Sequence, residues 1–210
     1  DKNMSRNINS KKDRDYFISA DLKSQGITKI SLKMKVVSLF VPQIWKYEYL
    51  LRKLEYSRNT GKKLSSKVIN FRFQRLGIKL GFTIEPNIFG PGLCLCHRGT
   101  IVINGNSKIG ANARIHAGVN IGNYSRFDKN WVPDNAPTIG NNVYIGPGAK
   151  LFGKIKIGNN VAIGANAVVN KDIPDNVTVA GIPAKIINNK GSKGLIVYGT
   201  DVNFSENEEC

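Results

Sequence analysis

The chain has little that could catalyse, cross-link or span a membrane. Its 210 residues include two histidines, three cysteines, two tryptophans and two methionines, and Asp+Glu number 15 against 31 Lys+Arg. Two histidines leave only His97 and His116 as imidazole bases. Three cysteines are an odd number and two lie close together, at Cys94 and Cys96, which argues against a disulfide framework and suits a reducing cytoplasm. No stretch reaches the ~18 apolar residues of a membrane span. Val36–Trp45 is too short and is broken by Pro42. No charged-apolar-small leader opens the chain, so we expect a cytoplasmic protein, with the inner membrane face as a possible address. Cys94-x-Cys96-His97 offers soft metal ligands, but neighbours on one strand rarely converge on an ion, and we expect no metal.

What is present is a six-residue pulse. It runs Ile109-Gly-Ala-Asn-Ala-Arg, Ile115-His-Ala-Gly-Val-Asn, Ile121-Gly-Asn, and resumes at Ile139, Ile145, Leu151, Ile157 and Ile163. A small or aliphatic residue follows four places after each opening: Ala113, Val119, Val143, Ala149, Ile155, Val161, Ala167. Such a unit cannot bury a core alone and must stack on its copies. Gly and Asn between the inward positions tolerate positive φ. The period and the Gly/Asn content exclude ordinary helix, and hairpin sheets would need a period of two. We expect a mainly β fold, a left-handed parallel β-helix of hexapeptide repeats with 18-residue coils, preceded by an α-helical N-terminal region. Gly-x-Gly occurrences belong to hexad corners, not to a phosphate loop.

Charge is uneven. Residues 1–82 hold 19 of the Lys+Arg and 6 of the Asp+Glu, so most of the +16 lies there. This suits either an anionic partner or a solvated helical face. We expect no nucleic acid and a peripheral membrane contact. Residues 1–26 read as a polar, partly disordered segment, and 27–82 as a basic helical region. Ile44, Tyr47, Leu50, Leu51 and Leu54 recur as one helix face, and Val68, Phe71, Phe73 and Leu76 as a less regular second one. The β-helix should occupy 83–187, with a loop at 123–137 that carries Tyr124, Asn130 and Trp131, and 188–210 reads as a tail.

The stretch Leu95-Cys-His-Arg-Gly-Thr-Ile-Val-Ile adds a family resemblance. With Gly118-Val-Asn-Ile-Gly122, Asp134-Asn-Ala-Pro-Thr-Ile-Gly140, Ile145-Gly-Pro-Gly-Ala-Lys-Leu-Phe-Gly153 and Val179-Ala-Gly-Ile-Pro-Ala-Lys185, residues 79–187 resemble the serine acetyltransferase branch of the hexapeptide acyltransferases. The spacing holds without gaps from His97 to Gly122. The resemblance implies homotrimers, acetyl-CoA as donor and His97 as general base. A neutral imidazole can take a hydroxyl proton during attack on a thioester. The resemblance also implies CoA contacts near Asn123, Pro147 and Ala165, with Lys150 and Lys185 available to phosphates. His116, in the adjoining coil, either shapes the acceptor pocket or caps a corner.

Three positions depart from that branch. Cys96 stands where its Asp precedes the catalytic His, Asn135-Ala136-Pro137 where it has Arg-His-Pro, and Thr83 where an upstream Asp orients the imidazole. A zwitterionic acceptor would lose its charge partners there, and an unpaired buried charge is costly. From this we expect a hydroxyl of a sugar or surface polysaccharide as acceptor, contacted by Trp131, as in capsule and exopolysaccharide O-acetyltransferases. The alternatives are a serine O-acetyltransferase of cysteine biosynthesis, a sugar N-acetyltransferase and a non-catalytic scaffold.

Overall fold

The computed structural model describes residues 7–27, 43–123 and 135–201. The expected loop residues Tyr124, Asn130 and Trp131 lie outside the described residues.

The hexads form three sheets around one core. A five-stranded sheet runs β1 (Phe82–Thr83), β3 (Ile101–Ile103), β6 (Asn120–Gly122), β9 (Lys150–Phe152), β12 (Val168–Val169). A three-stranded sheet holds β4 (Lys108–Ile109), β7 (Thr138–Ile139) and β10 (Lys156–Ile157). The third runs β2 (Cys94–Leu95), β5 (Arg114–Ile115), β8 (Tyr144–Ile145), β11 (Ala162–Ile163), β13 (Thr178–Ala180), β14 (Lys185–Asn188). All pairings are parallel except β13–β14. Tyr144 opposite Ala162, Lys150 opposite Val168 and Thr138 opposite Lys156 each give an 18-residue coil. Leu95 opposite Ile115 makes one coil 20 residues long, and Asn120 opposite Lys150 makes another 30. The long coil places the insertion between Gly122 and Thr138.

The opening residues of the hexads, from Ile109 to Ile163, are all at most 2% exposed, and the second inward row from Ala113 to Ala167 is buried with them. Each such side chain removes an aliphatic group from water at about 1.5–3 kcal/mol when it is Val, Leu or Ile. The corner from the three-stranded to the six-stranded sheet is held by asparagines. Asn112, Asn142, Asn160 and Asn176 have φ of 57, 59, 56 and 61°. Their amides hydrogen-bond in line, Asn112 to Asn142 at 2.8 Å, Asn142 to Asn160 at 2.9 Å and Asn160 to Asn176 at 2.9 Å. Asn suits this corner because it tolerates left-handed backbone and its amide both donates and accepts.

Among the described residues three helices precede the prism: α1 (Lys11–Ser24), α2 (Gln43–Asn59) and α3 (Lys63–Leu80). Within the segment read as polar and partly disordered, Lys11–Ser24 form α1. Ser10 accepts from Asp13 N–H, and Asp13 accepts from Ser10 N–H, closing a capping box. Phe17, Ala20 and Leu22 are buried. The expected face of α2 is buried as Tyr47, Leu50, Leu51 and Leu54. On α3, Phe73 is buried and Leu76 partly so, but Val68 and Phe71 are exposed. The burying face of α3 is instead Phe73, Gly77 and Leu80, spaced at four and three. Gly77 is fixed by space, since a Cβ there would lie 3.0 Å from Phe82 O. After β14 the chain folds back over the asparagine corner: Ser192 donates to Asn142 O, and Asn112 Oδ1 accepts from Gly199 and Thr200 N–H. The segment read as a tail is thus packed through Thr200.

Arg52 is wholly buried. Its guanidinium bonds Asp21 at 2.7 Å, Glu55 at 3.0 Å and the carbonyls of Phe89 and Gly90 at 3.0 and 2.7 Å. Asp21 also accepts from Gly92 and Leu93 N–H, Glu55 from Asn87 N–H and Glu48 from Leu95 N–H. This network fastens the helices to the first coil, two residues ahead of His97.

Candidate functional site

The candidate site lies at the corner where the six-stranded sheet turns into the five-stranded one. His97 follows β2 there, and His116 follows β5 one coil on. Backbone bonds stack the turns: Gly118 N–H to Thr100 O at 2.7 Å, Gly148 N–H to Ala117 O at 2.9 Å and Asn166 N–H to Pro147 O at 2.8 Å. His97, His116, Pro147 and Ala165 therefore share one edge of the prism. Small residues let the turns approach: a Cβ at Gly118 would sit 3.1 Å from Gly148 Cα.

Three rings climb this edge. The His97 and His116 centroids are 5.6 Å apart, and those of His116 and Tyr144 5.1 Å. His97 is exposed and His116 half-buried. Burial, then Arg114 and then His97, lowers the His116 pKa, so it is neutral near pH 7. Its Nε2 is buried without a hydrogen-bond partner among the described residues. A buried polar atom of this kind calls for a partner, an ordered water or a ligand atom.

Arg114 and Tyr144 were missed by the sequence reading. They sit opposite each other on β5 and β8, with Cys94 opposite Arg114 on β2. The Arg114 guanidinium is half-buried and lies 3.8 Å from Cys94 Sγ. Among the described residues no carboxylate forms an ion pair with it. The signal was available: Arg114 and His116 flank inward Ile115 on one strand, so both point outward. Cys94 and Cys96 are free thiols with sulfurs 3.9 Å apart. A hydrogen bond from Cys94 lowers the Cys96 pKa, while that bond and burial push Cys94 up.

Other expected residues are more scattered. Thr83 is exposed on β1 opposite Val102, and it makes no hydrogen bond with His97. Asn135 and Ala136 are buried just before β7, at the next corner, and Asn123 follows the end of β6 at that same corner. Within one chain these three do not join the His97 edge. Lys150 stays on that edge, donating to Gly118 O at 2.5 Å. Lys185 is exposed on β14, opposite Ala180.

The model for bacterial transferase hexapeptide repeats (six repeats) matches residues 136–171. The serine acetyltransferase of Buchnera aphidicola is 37% identical over 139 residues, 66% of this chain and 48% of the relative. The crystal structure of the Brucella abortus serine acetyltransferase in complex with coenzyme A matches with TM-score 0.61 and 28% identity, over 85% of this chain and 67% of that one. The Neisseria gonorrhoeae serine acetyltransferase in complex with serine matches with TM-score 0.64 and 28% identity, over 85% and 70%. The chain spans about half the length of the curated relatives it matches. The prism is therefore a left-handed parallel β-helix of hexapeptide repeats, similar to those of the serine acetyltransferases. These relatives overturn the expected polysaccharide acceptor and with it the capsule assignment. That expectation rested on the charges absent at Cys96 and Ala136 and did not weigh Arg114, which forms no ion pair among the described residues.

Proposed function

We propose that the chain transfers acetyl from acetyl-CoA to the hydroxyl of L-serine, with His97 as general base. The observation that carries this reading is the shared edge: an exposed imidazole, a buried unpaired His116 Nε2 and the Arg114 guanidinium beside small-residue turns. His97 takes the serine hydroxyl proton as the oxygen attacks the thioester carbonyl. The carbon–sulfur bond then breaks, and the imidazolium protonates the departing CoA thiolate. Because His116 is neutral, it adds no like charge beside the imidazolium and is free to hydrogen-bond the acceptor. Arg114 supplies a fork for the serine carboxylate, replacing the arginine that is missing ahead of Pro137. Tight turns at Gly118 and Gly148 suit a pantetheine arm held by backbone groups, near Pro147 and Ala165, with Lys150 toward its phosphates.

His97 stands exposed, whereas acyl transfer needs water excluded. A homotrimer meets that need. It would set the Asn123–Ala136 corner of one protomer against the His97 edge of the next.

The test is CoA-thiol release from acetyl-CoA with and without L-serine. Serine-dependent release is expected, falling about 10²–10⁴-fold in His97→Ala. In Arg114→Gln the loss should lie mainly in KM for serine. No serine-dependent release, or release untouched by His97→Ala, would overturn the reading.

A further inference from the structure

The face of α3 that points away from the prism is apolar. Leu64, Val68, Phe71 and Ile78 are 79, 55, 65 and 82% exposed. They follow one another at four, three and seven residues, so they form one row along the helix, opposite Phe73, Gly77 and Leu80. Lys63, Lys67, Arg72, Arg75 and Lys79 are exposed along the same helix, Arg75 within the row and the others beside it. The helix contains no acidic residue. Between α2 and α3 a cavity of about 240 Å³ is lined by Lys46, Arg72, Arg75 and Lys79 with Leu50 and Leu76.

We propose that α3 is a docking surface for an anionic lipid bilayer, with the apolar row entering the headgroup–acyl boundary and the flanking cations meeting lipid phosphates. The chemistry selects this occupant. Water-facing Phe71 and Ile78 cost free energy unless something apolar covers them. A second copy paired α3 to α3 would bring the same five cations of α3 against each other with no acid to offset them. A nucleic acid duplex would satisfy the cations and leave the aliphatic row uncovered. A bilayer of anionic lipid satisfies both, which is the behaviour of an amphipathic helix lying in the interface. The cavity accommodates one lipid phosphate among four cations, with two leucines beneath it. This surface is independent of the acyl-transfer reading.

The experiment is co-sedimentation of the whole protein with phosphatidylglycerol-containing vesicles and with pure phosphatidylcholine vesicles. Binding should be about tenfold or more tighter to the anionic vesicles, and should weaken on raising salt from about 0.1 to about 0.5 M. The variants F71S/I78S and R72Q/R75Q/K79Q should each lose about tenfold in vesicle binding. Both should keep the wild-type melting temperature and CoA-thiol release, because every altered side chain is exposed. Equal binding to both vesicle types, no binding, or binding unaffected by F71S/I78S would overturn the proposal. So would a change of sedimenting mass in F71S/I78S without loss of vesicle binding, which would make the row a contact between copies.

Discussion

The prism and the helices bury different things. The prism core is aliphatic in its repeating coils, with Phe82 and Phe89 entering only at the first coil, and polar side chains are confined to corners where amides bond one another. The helical region buries Asp21, Glu48, Arg52 and Glu55, each at most 2% exposed, at the junction with the first coil. A repeating core spreads its stability over many equivalent layers. A charged junction concentrates it in one cation. The lesson is that the helices are docked by a specific lock, not by general apolar contact, and that this lock sits beneath the strand that aims His97.

The sharpest way to break the contrast is Arg52→Met. It removes the only cation, among the described residues, that pairs with Asp21 and Glu55, and stability should fall by about 3–5 kcal/mol, because stranded buried carboxylates are costly. The triple change Asp21→Asn, Arg52→Met, Glu55→Gln should recover most of that loss. Urea unfolding of both variants measures this. If Arg52→Met alone is as stable as wild type, the junction is not held by charge.

The matching break in the prism is Asn142→Ala. It strands the Asn112 amide donor and the Asn160 acceptor and puts a Cβ-bearing residue without a polar tip at φ 59°. We expect a loss of about 2 kcal/mol, combining left-handed backbone with unsatisfied amides. Asn142→Gly relieves the backbone but not the ladder, so it should lose less, and the difference between the two partitions the corner's contribution. Equal losses would assign the corner to the amides alone.

This contrast also governs what could be read in advance. Hexads such as Ile145-Gly-Pro-Gly-Ala149 announce their inward positions because each local rule repeats at a fixed spacing. The outward placement of His97 was legible for the same reason, since the turn after Leu95 had to point outward. The junction was not legible. Asp21, Glu48, Arg52 and Glu55 look like solvated helical charges, and only the meeting of two helices with Gly90, Gly92 and Leu93 makes them a core. Arg114 was hidden by the rule that helped elsewhere, because the last position of a hexad reads as solvent. The glycan acceptor was argued only from charges absent at Cys96 and Ala136, and that argument took no account of Arg114 on β5. The row on α3 was misread because Val68 and Phe71 share its period with Phe73 closely enough to be merged into one face.

The last effect expected is a change of slope with pH, which vanishes near pH 4.5. Burial, and then the Asp21 charge, holds the Glu48 carboxyl well above the usual carboxylate range. The group is therefore protonated in the fold at pH values where the unfolded chain has released the proton. A raised carboxyl pKa makes the folded state hold more protons, so stability declines as pH rises above about 4.3 and stops declining only past the folded value. Glu48→Gln removes that titration. Its amide oxygen still accepts from Leu95 N–H, and Gln25 can turn its own amide to meet the new NH₂ group. Wild type and variant should match near pH 4.5. The variant should then gain on wild type with rising pH, by at most about 1.4 kcal/mol per unit. Parallel stability–pH curves would mean that Glu48 is ionised in the fold. In that case Arg52 would serve three carboxylates instead of two, and the junction would be more strongly charged than its geometry implies.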